Sequence, residues 1–102
     1  MITLVIDSAA VRALSARVTD DSLVLELADG RSISAPPAWY PRLLHGSPAE
    51  RANRRLIGNG EGVHWPALDE DISVEGVIAG RPSGESQESF GRWLGSRSTN
   101  AP

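Results

Sequence analysis

Alternating residues between Val11 and Val18 predict the first strand of a sheet. One set of positions holds Leu14, Ala16 and Val18, and the intervening set holds Ala13, Ser15 and Arg17. This two-residue period is typical of a strand with one buried face. The opening segment from Ile2 to Ile6 is also apolar, and it is either an additional strand or an arm used in association.

Three leucines at alternate positions predict a second strand. Leu23, Leu25 and Leu27 share one face, after the polar turn Thr19-Asp20-Asp21-Ser22. The Asp29-Gly30 pair that follows is a strong signal for a tight hairpin. The segment from Ser32 to Ala35 then returns as a third short strand. Together these segments predict a three-stranded antiparallel meander.

The hydrophobic period changes to that of helices after Pro36-Pro37. The first set of residues at helical spacing consists of Trp39, Tyr40, Leu43 and Leu44. Pro41 limits that segment to a short helix that begins near it. Ser47 and Glu50 form a capping-box pattern with proline at the first helical position, which predicts a second helix as far as about Arg55.

Glycines and prolines divide the next part of the chain. Gly58 to Gly62 holds three glycines in five positions and predicts a tight loop. Val63 to Pro66 is expected to be extended, because a residue before proline avoids helical geometry. Asp71 is a natural N-cap for a helix that starts at Ile72, and Gly80 suits its C-terminus. We therefore expect a compact domain over residues 1–80.

The last residues, 81–102, are polar and small and predict a linker and tail. Phe90, Trp93 and Leu94 lie three and four residues apart and form one apolar stripe, which predicts a short amphipathic helix near 87–95. So short a helix is marginal alone in water. The stripe therefore needs a surface, and the chain's own sheet, a second copy and a partner's groove all remain open.

Composition narrows the classes of function. The 102 residues include no cysteine, which excludes disulfides and thiol catalysis, and all ten basic residues are arginine. The net charge of −3 is opposite to that of most duplex-binding domains. No apolar run reaches the ~18 residues of a membrane span, and the opening residues lack the basic and long apolar regions of a secretory signal peptide. We therefore expect a cytoplasmic protein.

Specific motifs between Asp29 and Gly80 resemble those of a known family. The matching segments are Asp29-Gly30-Arg31, Trp39-Tyr40-Pro41-Arg42-Leu43, Ala49-Glu50-Arg51-Ala52-Asn53, Leu56-Ile57-Gly58, Gly60, Gly62, His64-Trp65-Pro66 and Leu68-Asp69-Glu70-Asp71-Ile72-Ser73-Val74-Glu75-Gly76. With the strands before them, the chain resembles domain-of-unknown-function family 2442 over residues 10–80. The resemblance implies a compact α+β fold in which a small antiparallel sheet packs against short helices.

The same resemblance implies genetic contexts in which such proteins are encoded, but it does not establish an activity. Some relatives are fused to a helix-turn-helix domain. Others look like halves of toxin–antitoxin pairs whose small neighbour often belongs to domain-of-unknown-function family 4160. The resemblance thus implies an antitoxin-like or regulatory role in a two-gene pair.

His64 with the acidic run Asp69, Glu70 and Asp71 is the candidate metal or acid–base cluster. An imidazole and two carboxylates, such as Asp69 and Asp71, can hold a divalent ion or activate water. Consecutive acidic side chains diverge, however, so capping and solvation explain the run more simply. The glycine loop lacks the lysine of a phosphate-binding loop. We therefore expect no cofactor, no metal and no catalysis.

Arginines and aromatic residues supply the candidate partner-binding surface. Its residues are Trp39, Tyr40, Arg42, Arg51, Arg54 and Arg55, together with the tail residues Phe90, Trp93 and Leu94. The arginines either pair with the excess carboxylates or bind an acidic protein or nucleic-acid phosphates. Of Trp39, Tyr40 and Trp65, we expect at least two to pack in the core, whereas an exposed pair would mark a binding site.

The combined patterns predict one α+β domain with a three- or four-stranded antiparallel sheet, short helices and a C-terminal appendage. The function that they favour is a non-enzymatic protein-interaction module that binds a partner, such as the product of a neighbouring gene, or a second copy of itself. The alternatives are a nucleic-acid regulator that uses the arginine face and, less favoured, a metal or small-molecule site around His64.

Overall fold

The first sheet contains the predicted meander. A computed structural model describes residues 11–99, and the predicted strand or arm at Ile2–Ile6 lies outside them. The strands β1 (Ala13–Val18), β2 (Leu23–Leu27) and β3 (Ser32–Ala35) pair antiparallel in that order. The Asp29-Gly30 turn joins β2 to β3, with Gly30 at a φ of 94°.

A β-bulge in β1 overturns the predicted alternation. Ala13 pairs with Leu27 and Ser15 pairs with Glu26, so the register shifts by one residue between them. An inserted residue reverses which face the following positions occupy. Ala13 and Ala16 are consequently both buried, whereas Leu14 is 62% exposed. The expectation that Leu14 shares a face with Ala16 is wrong.

Two short helices follow the first sheet, α1 (Pro41–Leu44) and α2 (Pro48–Ala52). The predicted capping box is present, because the backbone N–H of Glu50 donates to the Ser47 hydroxyl and the Glu50 carboxylate accepts from the backbone N–H of Ser47. The prediction that this helix reaches Arg55 is wrong. Arg55 instead starts a strand, where pairing with a distant segment overrides local helix propensity.

A second three-stranded antiparallel sheet consists of β4 (Arg55–Ile57), β5 (Gly62–Trp65) and β6 (Glu70–Ser73). The expected extended segment at Val63–Trp65 is confirmed within β5. Asp71 pairs with His64 inside the sheet, so its predicted role as a helix N-cap is wrong.

Ser73 is the residue that caps the following helix, α3 (Val74–Ile78), by accepting a hydrogen bond from the backbone N–H of Gly76. Gly80 follows this helix with a φ of 74° and donates its backbone N–H to the Val77 carbonyl, as the sequence predicted for a C-terminal glycine.

The two sheets and the short helices enclose one apolar core. Its largest fully buried side chains are Trp65, Leu23, Leu25, Leu43, Leu68, Val63 and Val74. The Trp65 indole N–H donates to the Arg51 carbonyl at 3.0 Å, so the ring is buried without leaving its polar atom unpaired. The α+β class with short helices on small antiparallel sheets is therefore confirmed.

The predicted tail helix is present as α4 (Gln87–Thr99), longer than expected. The segment before it is attached to the domain, because the backbone N–H of Ser83 donates to the Trp39 carbonyl at 2.9 Å. None of the helices within residues 11–99 has the length and apolar character needed to cross a membrane.

Candidate partner-binding groove

A groove of about 550 Å³ lies between β6 and the segment that leads from α3 into α4. Tyr40 and Arg42, at the start of α1, form one part of its lining, and Glu70 of β6 forms another. Residues 81–85 form the opposite wall. We call this site the acidic groove.

Two buried polar atoms of the acidic groove have no hydrogen-bond partner within the described part of the chain. They are the Tyr40 hydroxyl oxygen and Oε2 of Glu70. Tyr40 is only 4% exposed. Nearly all buried polar groups in folded proteins are paired, and each unpaired one costs about 1–3 kcal/mol. The groove therefore holds unmet hydrogen-bonding capacity at a cost in stability.

Burial changes the acidity of both groups. It raises the pKa of Glu70 to about 6, and the neighbouring carboxylates of Glu85 and Asp71 add to the rise while Arg42 opposes it. Burial also raises the pKa of Tyr40, with a further contribution from the charge of Glu70. Removing water from a charged group penalises its ionised form, which is the main cause for the carboxyl group.

Arg42 connects three parts of the groove. Its guanidinium group forms a two-pronged ion pair with Glu85, with Nε to Oε1 at 2.9 Å and Nη2 to Oε2 at 2.5 Å. Its Nη1 donates to the carbonyls of Leu68 and Asp69, each at 3.2 Å. The pairing raises the pKa of Arg42 and lowers that of Glu85. This fork fixes the linker against the turn that precedes β6.

Acidic groups outnumber basic groups in the lining. The carboxylates are those of Asp69, Glu70, Asp71 and Glu85, and the guanidinium groups are those of Arg42 and Arg81. Arg42 already pairs with Glu85. The groove therefore carries a local excess of negative charge when Glu70 is ionised.

The stripe predicted on the tail lies on the chain's own domain. Trp93 packs against the core and stands between two guanidinium groups, 5.1 Å from that of Arg42 and 4.7 Å from that of Arg97. Phe90 stacks on Trp93 at 5.7 Å and contacts the His45 ring at 5.3 Å. Leu94, the third member, is half-buried. The stripe therefore packs on the chain's own domain, and the contacts shown are with Arg42 and His45 at α1 rather than with the sheet named from the sequence.

A second ion pair holds α4 near its C-terminal end. Arg97 donates from Nη1 and Nη2 to the two carboxylate oxygens of Glu50, at 2.8 and 2.7 Å. These bonds, with the Ser47 backbone N–H, lower the pKa of Glu50 to about 2. The tail helix therefore contacts the capping box of α2 as well as the groove wall.

The arginines of the predicted partner-binding surface differ in exposure. Arg51 donates to the carbonyls of Leu43 and Leu44 and pairs with Asp20. Arg54 donates to the carbonyls of Ala16 and Ala52. Arg55 is exposed on β4, opposite His64. The side chains of Arg42 and Arg51 are therefore mostly buried, with 14% and 11% exposed, whereas Arg54 and Arg55 are exposed.

Two aromatic residues of the predicted partner-binding surface pack inside the protein. Tyr40 is buried, and Trp39 is half-buried against the core. Burial of these two rings agrees with the packing alternative weighed from the sequence. Tyr40 can meet a partner only through the groove that it lines.

The candidate metal residues do not converge. The His64 Nδ1 lies 2.5 Å from Oδ1 of Asp71, whereas the carboxylate of Asp69 lies 3.8 Å from Arg42. Within residues 11–99, no three histidine, aspartate or glutamate side chains are grouped as metal ligands would be.

The sequence interpretation named Glu70 only as part of the candidate metal cluster, and it did not name Glu85 as a site residue. Glu70 shares a face of β6 with the buried Ile72, so predicting a strand there would have indicated a buried carboxyl group. Glu85 lies in a polar linker, and its pairing with Arg42 spans 43 positions. No local pattern signals such a contact.

Fold and groove together define a small α+β protein whose two antiparallel sheets enclose the core and whose own tail helix covers one side. The sequence profile of the family described as protein of unknown function DUF2442 matches residues 13–83. The chain belongs to this family, which confirms the resemblance drawn from its motifs. The matched region includes Tyr40, Arg42 and Glu70 and ends before α4.

Two solved structures share the fold. A protein of unknown function from Rhodospirillum rubrum is 28% identical, with a TM-score of 0.66 over 76% of this chain and 95% of that one. An uncharacterised protein from Chromobacterium violaceum is 21% identical, with a TM-score of 0.61 over 88% of this chain and 79% of that one. The second likeness concerns the fold alone. No curated protein matches the chain significantly.

Proposed function

We propose that the protein is a non-enzymatic protein-interaction module of the cytoplasm that binds a partner protein at the acidic groove. Within this proposal, it is one component of a two-gene antitoxin-like or regulatory pair. The pairing with a neighbouring gene rests on what the family resemblance implies. The location of the binding site rests on the geometry of the groove.

The observation that carries the proposal is the pair of unpartnered polar atoms in the groove, the Tyr40 hydroxyl and Oε2 of Glu70. If stability alone determined these positions, phenylalanine would stand in place of Tyr40, and glutamine or an apolar residue in place of Glu70. Residues that cost stability are commonly retained where function needs them. Tyrosine is also among the residues that contribute most at protein interfaces.

The other polar side chains of the groove favour binding over catalysis. Ser73 accepts from Gly76, Ser83 accepts from the backbone N–H of Glu85, and Ser89 donates to the Glu85 carboxylate. A nucleophilic hydroxyl needs a base within hydrogen-bond reach. The carboxylate that Ser89 contacts, Glu85, is a weak base because its hydrogen bonds with Arg42 lower its pKa. These three hydroxyls instead stabilise the groove walls, which suits a preformed binding surface.

Binding would act by covering a surface of the partner. The groove wall is part of the tail linker, which the Arg42–Glu85 pair fixes to the domain. A partner seated there would contact the second sheet and the linker together. In such an interface, Tyr40 and the Glu70 carboxyl group would lie at the centre of the contact surface. Water is excluded there, and polar contacts are stronger for that reason.

Co-expression with the product of the neighbouring open reading frame tests the proposal. We expect a stoichiometric complex in size-exclusion chromatography, and at least a tenfold loss of affinity in the double variant Tyr40→Phe/Glu70→Gln. Glu26→Gln, on the first sheet and outside the groove, is the matched control and should bind normally.

A chain that elutes alone would contradict the proposal. Elution with nucleic acid would favour the regulator alternative, and co-purification with a metal would favour a site around His64. A complex that tolerates the double variant would place the partner elsewhere on the protein.

A further inference from the structure

We infer that the acidic groove binds a single cationic side chain, an arginine guanidinium or a lysine ammonium group of the partner, against Tyr40 and Glu70. This inference rests on the proposed function and names the chemistry that the partner presents. Three observations support it: the type of the unpaired atoms, the charge of the lining and the burial of Tyr40.

The unpaired atoms call for a hydrogen-bond donor. An ionised carboxylate accepts hydrogen bonds and cannot donate them, and a tyrosine hydroxyl has lone pairs that also accept. A guanidinium or ammonium group is a donor with no acceptor. The charge of Glu70 acts on Tyr40, so the two side chains are neighbours. A single group that donates to Oε2 of Glu70 and to the Tyr40 hydroxyl would satisfy both atoms.

The charge of the lining selects a positive ligand. Asp69 lies 3.8 Å from Arg42, Asp71 pairs with His64 and Glu85 pairs with Arg42, so Glu70 is the lining carboxylate that forms no ion pair within the described residues. An anionic ligand would meet this unpaired carboxylate. A cation would form a charge-assisted hydrogen bond with it, which is the stronger class.

Tyr40 distinguishes this site from an ordinary acidic surface. Its ring is 4% exposed and lines the groove, and its hydroxyl has no partner among residues 11–97. The Glu70 side chain lines the same space. Because the terminal torsion of a glutamate is soft, a small rotation can turn Oε2 towards a ligand. The groove volume of about 550 Å³ accommodates a long basic side chain.

The inference can be tested without the partner by titrating the full chain with small probes. N-acetyl-L-argininamide and N-acetyl-L-lysinamide supply the two cations. The amide of N-acetyl-L-citrulline has nearly the shape of the arginine probe without its charge. Binding would be followed by amide chemical shifts in two-dimensional NMR spectra.

We expect saturable shifts at Glu70, Asp71 and Gly84 with a cationic probe in the millimolar range. The citrulline probe should bind at least tenfold more weakly. Glu70→Gln and Tyr40→Phe should each reduce the affinity several-fold, and Glu26→Gln should leave it unchanged. Both groove substitutions preserve size, so the variants should remain folded, as their spectra will report. Comparison of the two cations distinguishes arginine from lysine recognition.

Equal binding of the citrulline probe, shifts confined to other surfaces, or unchanged affinity in Glu70→Gln would overturn the inference. If no probe binds while the partner complex forms, the cation inference fails and the proposed function stands. If a probe binds but no partner co-purifies, the groove recognises cations and the proposed function fails.

Discussion

The buried faces of the two sheets differ in chemistry. In the first sheet, Leu23, Leu25 and Leu27 are at most 2% exposed and make an uninterrupted apolar face. In the second, β6 places Glu70 beside the buried Ile72 and leaves one carboxylate oxygen unpaired. Each buried leucine stabilises the fold by about 1.5–3 kcal/mol, whereas an unpaired buried carboxyl group lowers stability. The first sheet maintains the fold, and the groove side of the second retains groups suited to binding.

The largest expected effect concerns the second sheet and tests whether that sheet contributes to the apolar core. Trp65→Ala should lower the free energy of unfolding by about 3–5 kcal/mol, because it removes a fully buried indole from β5. Urea unfolding followed by circular dichroism measures it. Leu44→Ala is the control, since Leu44 is 42% exposed. A loss below 1 kcal/mol for Trp65→Ala would mean that the core depends on the first sheet alone.

The junction of the two sheets should be sensitive to a single methyl group. Gly60 has a φ of 89°, and an added Cβ would lie 2.6 Å from the Ala13 carbonyl oxygen of β1. Gly60→Ala should therefore cost about 1–3 kcal/mol from strain and steric overlap together.

Gly30→Ala separates those two causes. Gly30 also has positive φ, but nothing lies within 4 Å of an added Cβ. Its cost should be about 1 kcal/mol from backbone strain alone. Equal losses in thermal unfolding for the two variants would show that the sheets are not in close contact at Gly60.

The two sheets also differ in how far the sequence predicts them. Alternating leucines and the Asp29-Gly30 turn specify the first sheet locally. The strands β4 and β6 have three and four residues, too few for a clear period. Asp71 illustrates the difficulty, because an acidic residue before Ile72 fits an N-cap until its pairing with His64 in β5 is known.

The candidate site was predictable only in part, for the same reason. Tyr40 and Arg42 belong to the predicted partner-binding set, yet the prediction placed them on an arginine-rich face. Their actual environment depends on Glu70 and Glu85, which reach them through tertiary contacts. Likewise, the helical spacing of Phe90 and Trp93 predicts an apolar stripe, but it does not indicate which surface the stripe packs against.

A moderate effect is expected where the tail meets α2. Glu50→Gln keeps a capping-box acceptor but loses the ion pair with Arg97, so it should lower stability by about 1–2 kcal/mol at pH 7. Folding lowers the pKa of Glu50 from 4.5 to about 2. Its contribution is therefore present above pH 4.5 and is lost as the pH falls towards 2.

Chemical denaturation at several pH values checks this prediction. The difference between wild type and Glu50→Gln should shrink below pH 4.5. Glu88→Gln provides a matched control, because the Glu88–Arg92 pair is largely exposed and should contribute about 0.5 kcal/mol or less. A Glu50→Gln variant as stable as wild type at pH 7 would show that the tail is not held by this pair.

The last expected effect has the opposite sign and concerns Glu70. Folding raises its pKa from 4.5 to about 6. The charged groups that face it are Arg42, Glu85 and Asp71, beside the Tyr40 hydroxyl. The stability contributed by protonated Glu70 is complete below pH 4.5 and is lost as the pH rises through 6. At pH 8 the ionised carboxylate should therefore cost about 2 kcal/mol.

The free energy of unfolding of Glu70→Gln relative to wild type, measured by urea denaturation from pH 4 to pH 8, tests the central claim most directly. If Glu70 is retained for binding, the variant should gain stability relative to wild type as the pH rises through 6, by about 2 kcal/mol between pH 4 and pH 8. A variant less stable than wild type at pH 8 would contradict the account, because it would make the Glu70 carboxylate a stabilising element of the fold.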